Sequence, residues 1–234
     1  MRRLLPGVGP RGPAVDLDEA YAWPAEPCLR ANFVASLDGA ASVEGRTAGL
    51  ASGADRRVFA HLRATCDVVV VGAGTATAER YRPAPVPVAV VSASLSPSPG
   101  ERLFTPGPGT ARPLVLTCAA APADRRAALA PHAEVVDCGG DTVDLALVRA
   151  ELERRGLRRL LCEGGPRLFA DLLAARLVDE LCLTVAPVLA SGPALRITRG
   201  LALSPPLGTT LVSALEEDGV LLLRSTVDRG APAT

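Results

Sequence analysis

Val68-Val69-Val70-Val71-Gly72-Ala73-Gly74-Thr75 sets four β-branched residues in a row against a glycine turn. A strand with one wet face alternates apolar and polar residues. An unbroken apolar run that stops at glycine reads instead as a parallel strand covered on both faces. Upstream, Ser52 is placed to cap a helix running to Ala64, with Val58, Phe59 and Leu62 on one side. Before it, Cys28 to Leu37 reads as a first strand broken by Asp38-Gly39, and Ala40 to Gly53 as a polar connection.

Downstream the alternation continues. Strand Pro87 to Val91 is followed by a Ser-, Pro- and Gly-rich loop from Ser92 to Thr110. Then come strand Pro113 to Thr117, helix Pro122 to Ala130, strand Ala133 to Val136 and helix Thr142 to Arg155. Strand Leu157 to Cys162, a helix opening at Gly165 or Pro166 and closing at Ala175, and strand Val178 to Ala186 complete the series. Asp218-Gly219 between two apolar runs predicts a two-residue hairpin. The pattern predicts an α/β fold: a mostly parallel sheet flanked by helices, with an antiparallel C-terminal hairpin. Residues 1–27, rich in Pro and Gly, read as an N-terminal arm with a short helical stretch from Asp16 to Ala22; residues 28–234 read as one domain.

Composition removes several function classes. The chain has 234 residues, 48% of them hydrophobic, and its 25 basic residues balance 25 acidic ones. No basic block offers a duplex-binding face, and aromatics at 3% leave no stacking platform for single strands, so no nucleic-acid partner is expected. Every basic residue is Arg, which rules out a lysine Schiff base. Cys28, Cys66, Cys118, Cys138, Cys162 and Cys182 form no C-x-x-C pair, so neither a zinc knuckle nor a redox dithiol is expected. With no signal-like segment and no apolar run near the ~20 residues that span a bilayer, a soluble cytoplasmic protein with no membrane association is expected. His132-Ala133-Glu134 has the H-x-E spacing of zinc deaminases without the required P-C-x-x-C, so no metal is assigned. His61 is expected on the surface of the helix after Ser52.

Ligands of open α/β sheets bind beyond the carboxyl ends of the strands, and three such ends carry informative residues. Gly72 and Gly74 let the backbone approach a pyrophosphate, although the third glycine of a dinucleotide fingerprint is replaced by Thr77. By itself that stretch serves equally as a plain strand-to-helix turn. Glu163-Gly164-Gly165-Pro166 follows another buried strand, and Pro166 suits a first helical position. Two such turns in one sheet point to a dinucleotide. Ser92 and Ser94 end a third strand with hydroxyls where NAD sites commonly carry an acid, which favours NADPH.

Asn32-Phe33-Val34-Ala35-Ser36-Leu37-Asp38-Gly39, Leu62-Arg63-Ala64, Val71 to Thr75, Glu163 to Leu168 and Leu177 to Leu181 occur in that order. Together they resemble the reductase domain of bacterial riboflavin biosynthesis proteins, in the dihydrofolate-reductase-like superfamily. The likeness covers roughly Cys28 to the C-terminus. It implies hydride transfer from NADPH to C1′ of 5-amino-6-(5-phosphoribosylamino)uracil, giving the ribitylamino product, by a homodimer. It implies cofactor contacts from Val34, Asp38, Gly49, Thr75, Glu79 and Gly164 through Gly165, Pro166, Arg167 and Leu168. Substrate contacts are implied for Asn32, Thr47, Arg63 and Glu163, with Arg63 on the phosphate. Glu163 and Asp38 are the candidate catalytic groups; the plainer roles are a solvated helix arginine for Arg63 and a turn-bonding carboxylate for Asp38.

The chain departs from the family where many members have Lys in place of Asn32, and an acidic pair followed by Pro in place of Glu79-Arg80-Tyr81. The arm is too short for the zinc deaminase domain of bifunctional members, so a stand-alone reductase is expected. The rival readings are a pterin reductase acting on dihydrofolate and a non-catalytic NADPH-binding module.

Overall fold

A computed structural model describes residues 1–5, 15–43 and 47–230. Much of the arm, part of the polar connection after the first predicted strand, and the last four positions lie outside the described residues. The chain runs β1 (Arg2–Leu5), α1 (Leu17–Ala20), β2 (Cys28–Ser36), α2 (Gly53–Thr65), β3 (Val68–Gly72), α3 (Ala73–Ala78) and β4 (Val88–Val91). It continues through β5 (Leu114–Thr117), α4 (Ala123–Leu129), β6 (Glu134–Asp137), α5 (Leu145–Arg154) and β7 (Arg159–Cys162). Last come α6 (Pro166–Ala174), β8 (Glu180–Ala186), β9 (Thr209–Glu217) and β10 (Val220–Val227).

These strands form one sheet in the order β1-β9-β10-β8-β2-β7-β3-β4-β5-β6. From β8 to β6 the neighbours are parallel, and β10, β9 and β1 add antiparallel pairs. The valine run explains the layering. Val69 and Val71 pack with Val58, Leu62 and Cys66 of the α2 side. Val68 and Val70 pack with Leu152, Leu168, Phe169 and Leu172 on the other face. All four are at most 1% exposed, each contributing about 1.5–3 kcal/mol of apolar burial.

The helix caps and the hairpin form as read. The Ser52 side chain accepts from the Asp55 N–H at 3.0 Å. Asp218 and Gly219 turn the β9–β10 hairpin with φ of 53° and 80°. α5 starts three residues later than expected, at Leu145, because Asp144 caps it by accepting from the N–H groups of Ala146 and Leu147. Residues 2–5, without periodicity in the sequence, form the edge strand β1. Pairing with β9 and the contact from the Met1 ammonium to Glu217 (2.7 Å) hold it there. α1 is tied down by Arg30, fully buried, which donates to Glu180 (2.6 Å) and to the carbonyls of Tyr21 and Ala22.

His61 is a correction. It is not a surface residue of α2: its side chain is 14% exposed and packs toward the Tyr21 ring. All six cysteines are free and buried, and burial pushes the Cys66 and Cys162 thiols up to about 12. No helix among the described residues is long and apolar enough to cross a membrane.

Candidate active site

Placing β7 between β2 and β3 brings two turns ninety residues apart in sequence into contact. The Gly72 N–H donates to the Gly164 carbonyl at 2.8 Å, and the Glu163 N–H to the Val70 carbonyl at 3.0 Å. Gly164 has φ +102°, and a Cβ there would lie 3.1 Å from the Phe33 ring. At Gly165 a Cβ would lie 2.4 Å from Thr75 Oγ1. The bare Gly165 lets the two turns close on Thr75, while at Gly164 the left-handed φ and the Phe33 ring of β2 favour glycine. The Gly164–Gly165 peptide is cis.

A cavity of about 750 Å³ opens over these turns, lined by Gly72, Gly74, Thr75, Ser92, Ser94 and Gly165 to Leu168 among others. Neither Gly72 nor Gly165 caps its helix with a side chain, so the first N–H groups of α6 remain open toward this cavity. Arg167 and Arg199 are on its wall, and Asp171 is the one carboxylate there among the described residues. At the end of β4 the Ser92 hydroxyl accepts from the Ser96 N–H (3.2 Å), and Arg125 donates to the Ser94 carbonyl (2.9 Å). The donor set thus fits a dinucleotide: open amides and cations for phosphates, glycines for close approach, and no acid at the β4 end.

A second cavity of about 450 Å³ adjoins it and shares Thr75. Its lining includes Asn32, Thr47 and Glu163, which the resemblance assigns to the substrate, together with Val34 and Glu79, which it assigns to the cofactor and which do not line the larger cavity. The Glu163 side chain is only 2% exposed. Arg63 grips it from both nitrogens, Nε to Oε1 at 2.7 Å and Nη2 to Oε2 at 2.6 Å, and the Tyr81 hydroxyl donates to Oε2 at 2.6 Å. Burial works against the Arg63 charge, but the bonds to Glu163 outweigh it and hold the guanidinium above its ordinary value. Burial and the Glu163 charge likewise push the Tyr81 hydroxyl well above its ordinary value, so it stays protonated and donates.

Three further residues, Arg63, Asp38 and Gly49, sit differently from the implied pattern. Arg63, assigned to the substrate phosphate, is sandwiched by Phe59 (4.6 Å) and Tyr81 (5.2 Å) and committed to Glu163. Arg56, Arg80 and Arg82 also line the cavity and carry no carboxylate partner among the described residues. Asp38 lines neither cavity. Its carboxylate accepts from the Ser36 hydroxyl and from the N–H groups of Ala190 (3.1 Å) and Ser191 (2.7 Å), which holds its pKa down at about 2. Gly49 lies in a short 3₁₀ turn behind Thr47 and also lines neither cavity; Thr47 donates to Glu79 at 3.3 Å.

Sequence reasoning missed Tyr81 and Asp55. Tyr81 stood in plain view as a departure from the family pattern. Asp55, 9% exposed, lines the smaller cavity, and burial raises its pKa. In the sequence it resembles only a first-turn helix acid.

The family model described as the RibD C-terminal domain matches residues 27–218. The 2,5-diamino-6-ribosylamino-4(3H)-pyrimidinone 5′-phosphate reductase of Methanothermobacter thermautotrophicus is 42% identical over 72 residues, 31% of this chain and 33% of that protein. The match thus spans about a third of that curated relative. A solved pyrimidine reductase-like protein of Corynebacterium diphtheriae superposes with TM-score 0.79 at 26% identity, covering 92% of this chain and 99% of the other. Dihydrofolate reductase of Enterococcus faecalis, solved with NADP(H), superposes with TM-score 0.51 at 13% identity, over 86% of this chain and 96% of the other. That last likeness concerns the fold alone.

Proposed function

The chain belongs to the RibD C-terminal domain family, and from that premise we propose that it is an NADPH-dependent reductase of a phosphoribosylated aminopyrimidine. One observation carries the reading. Thr75 lines both cavities, so a dinucleotide lying over Gly74 and Gly165 ends where a ring held beside Glu163 begins. When bound, NADPH supplies the hydride for C1′ of the ribosyl group, and one proton is taken up as the ring-opened C1′=N bond becomes CH–NH.

The chain's own residues position and neutralise. The open amides of α6 and the side chain of Arg167 hold the cofactor phosphates, and Ser92 and Ser94 leave room for a 2′-phosphate. Glu163 keeps one lone pair beyond those taken by Arg63 and Tyr81, and directs it at the substrate. Arg56, Arg80 and Arg82 take the sugar phosphate in place of Arg63. Asp38 acts through the 190–191 loop that it anchors. A cytoplasmic homodimer belongs to the same proposal, supported by six reduced thiols and by the prevalence of two-fold pairing.

Steady-state NADPH oxidation tests the reading, with the pyrimidine phosphate and dihydrofolate as rival substrates. Turnover of the former alone is expected; activity on dihydrofolate alone overturns the proposal. Tight NADPH binding with no turnover of either would favour a non-catalytic module.

A further inference from the structure

We propose that Arg199 binds the pyrophosphate of the dinucleotide, and that Asp38, outside the cavity, is the positioning residue that holds Arg199 in place. This deepens the cofactor half of the reductase reading and rests on it.

Three charged side chains line the larger cavity: Arg167, Arg199 and Asp171. Two cations against one carboxylate leave its wall positive; without Arg199 the wall would be neutral. Neither Arg199 nor Asp171 forms an ion pair among the described residues. An exposed loop arginine ordinarily faces bulk water, but the backbone here roots this one beside α6. The Arg199 N–H donates to the carbonyl of Pro166, the first residue of that helix, at 2.9 Å. Gly200 packs on the same helix, where a Cβ would lie 3.0 Å from that of Ala170.

The Phe169 N–H already donates to the Gly165 carbonyl, so the free amides at this helix start are those of Arg167 and Leu168. A phosphate accepting from them lies within reach of the Arg199 side chain, and a guanidinium there adds charge-assisted donors. Ser92 and Ser94 follow β4, two strands along the sheet from β7, which leads into α6. That is about 10 Å, so Arg199 serves the pyrophosphate and the serines face the 2′-phosphate.

Residues 187–200 carry Arg199 across from β8, and the chain leaving β2 ties them at three points. The Leu37 N–H donates to the Val188 carbonyl (2.9 Å), and the Ala41 N–H to the Leu195 carbonyl (2.7 Å). Between these backbone ties, the Asp38 carboxylate accepts from the N–H groups of Ala190 and Ser191. Asp38 is therefore the side chain whose loss loosens the segment without touching the cavity.

Calorimetric titration with NADPH and with NADH tests both parts. Arg199→Ala should weaken the two alike by roughly 10-fold, the range of a charged hydrogen bond, and leave their ratio unchanged. Both residues are exposed, so alanine removes no core packing, and Arg199→Lys should recover part of the loss. Asp38→Ala should weaken both dinucleotides by roughly 3- to 10-fold, and should add nothing in the Arg199→Ala background. Unchanged affinity in Arg199→Ala, or a loss confined to NADPH, overturns the pyrophosphate assignment. Additive losses overturn the role of Asp38. Because binding is read, the assignment stands or falls whether or not a pyrimidine is turned over. A wild-type chain that binds neither dinucleotide overturns this assignment and the reductase reading together.

Discussion

Glu163, Arg63 and Tyr81 act as one unit. The hydroxyl of Tyr81 closes the pair by donating to the carboxylate. Tyr81→Phe removes that donor and keeps the ring against Arg63. The expected cost is about 1–2 kcal/mol of stability, read by denaturant unfolding, with kcat/KM falling and NADPH affinity unchanged. An unchanged kcat/KM would reduce Tyr81 to packing. Asp38 makes a separate prediction. Its bonds to Ser36, Ser191 and Ala190 lower its pKa from 3.8 to about 2 in the folded chain. A depressed carboxylate stabilises above its unfolded pKa, and that contribution is lost as pH falls from 3.8 through about 2. Asp38→Asn should therefore flatten the acid limb of stability against pH in that window; an identical limb would place the lost stability elsewhere. Single residues were partly legible. Glu163 stood out after a buried strand and before two glycines, whereas Asp55 reaches the cavity only through the packing of α2 against the sheet, which periodicity cannot show.

Elements read better than boundaries or partners. β3 was legible because burial on both faces leaves an unbroken valine run, and the β9–β10 hairpin because Asp218-Gly219 suits its turn. β1 was not, since Arg2 and Arg3 carry no strand pattern and the strand exists through its pairing with β9. The convergence of α3 and α6 was also hidden, because it follows from inserting β7 beside β3. Their packing can be tested directly. Gly165→Ala places a methyl group 2.4 Å from Thr75 Oγ1 and should destabilise by about 1–3 kcal/mol while weakening NADPH binding. In a Thr75→Ala background the same change should cost far less, giving a clear coupling in a double-mutant cycle. Additive effects would mean that the two turns do not interlock.

At the scale of the whole molecule, the sheet divides its labours. The parallel strands present their carboxyl ends to both cavities, and the antiparallel strands extend the sheet away from them. The α/β class and the helices on both faces were legible from alternation alone, while the division into two adjoining cavities required the strand order. If the larger cavity takes NADPH, thermal unfolding should shift upward with its concentration, by about 2.7 kcal/mol at 100 times Kd, and less with equal NADH. Equal shifts would remove the role given to Ser92 and Ser94. The reductase reading itself rests on hydride delivery across Thr75. NADPH deuterated at the transferable position of C4, incubated with the pyrimidine phosphate and the chain, should yield a ribitylamino product with one deuterium at C1′, read by NMR. Product without deuterium at C1′, or deuterium appearing only in the ring, would contradict it.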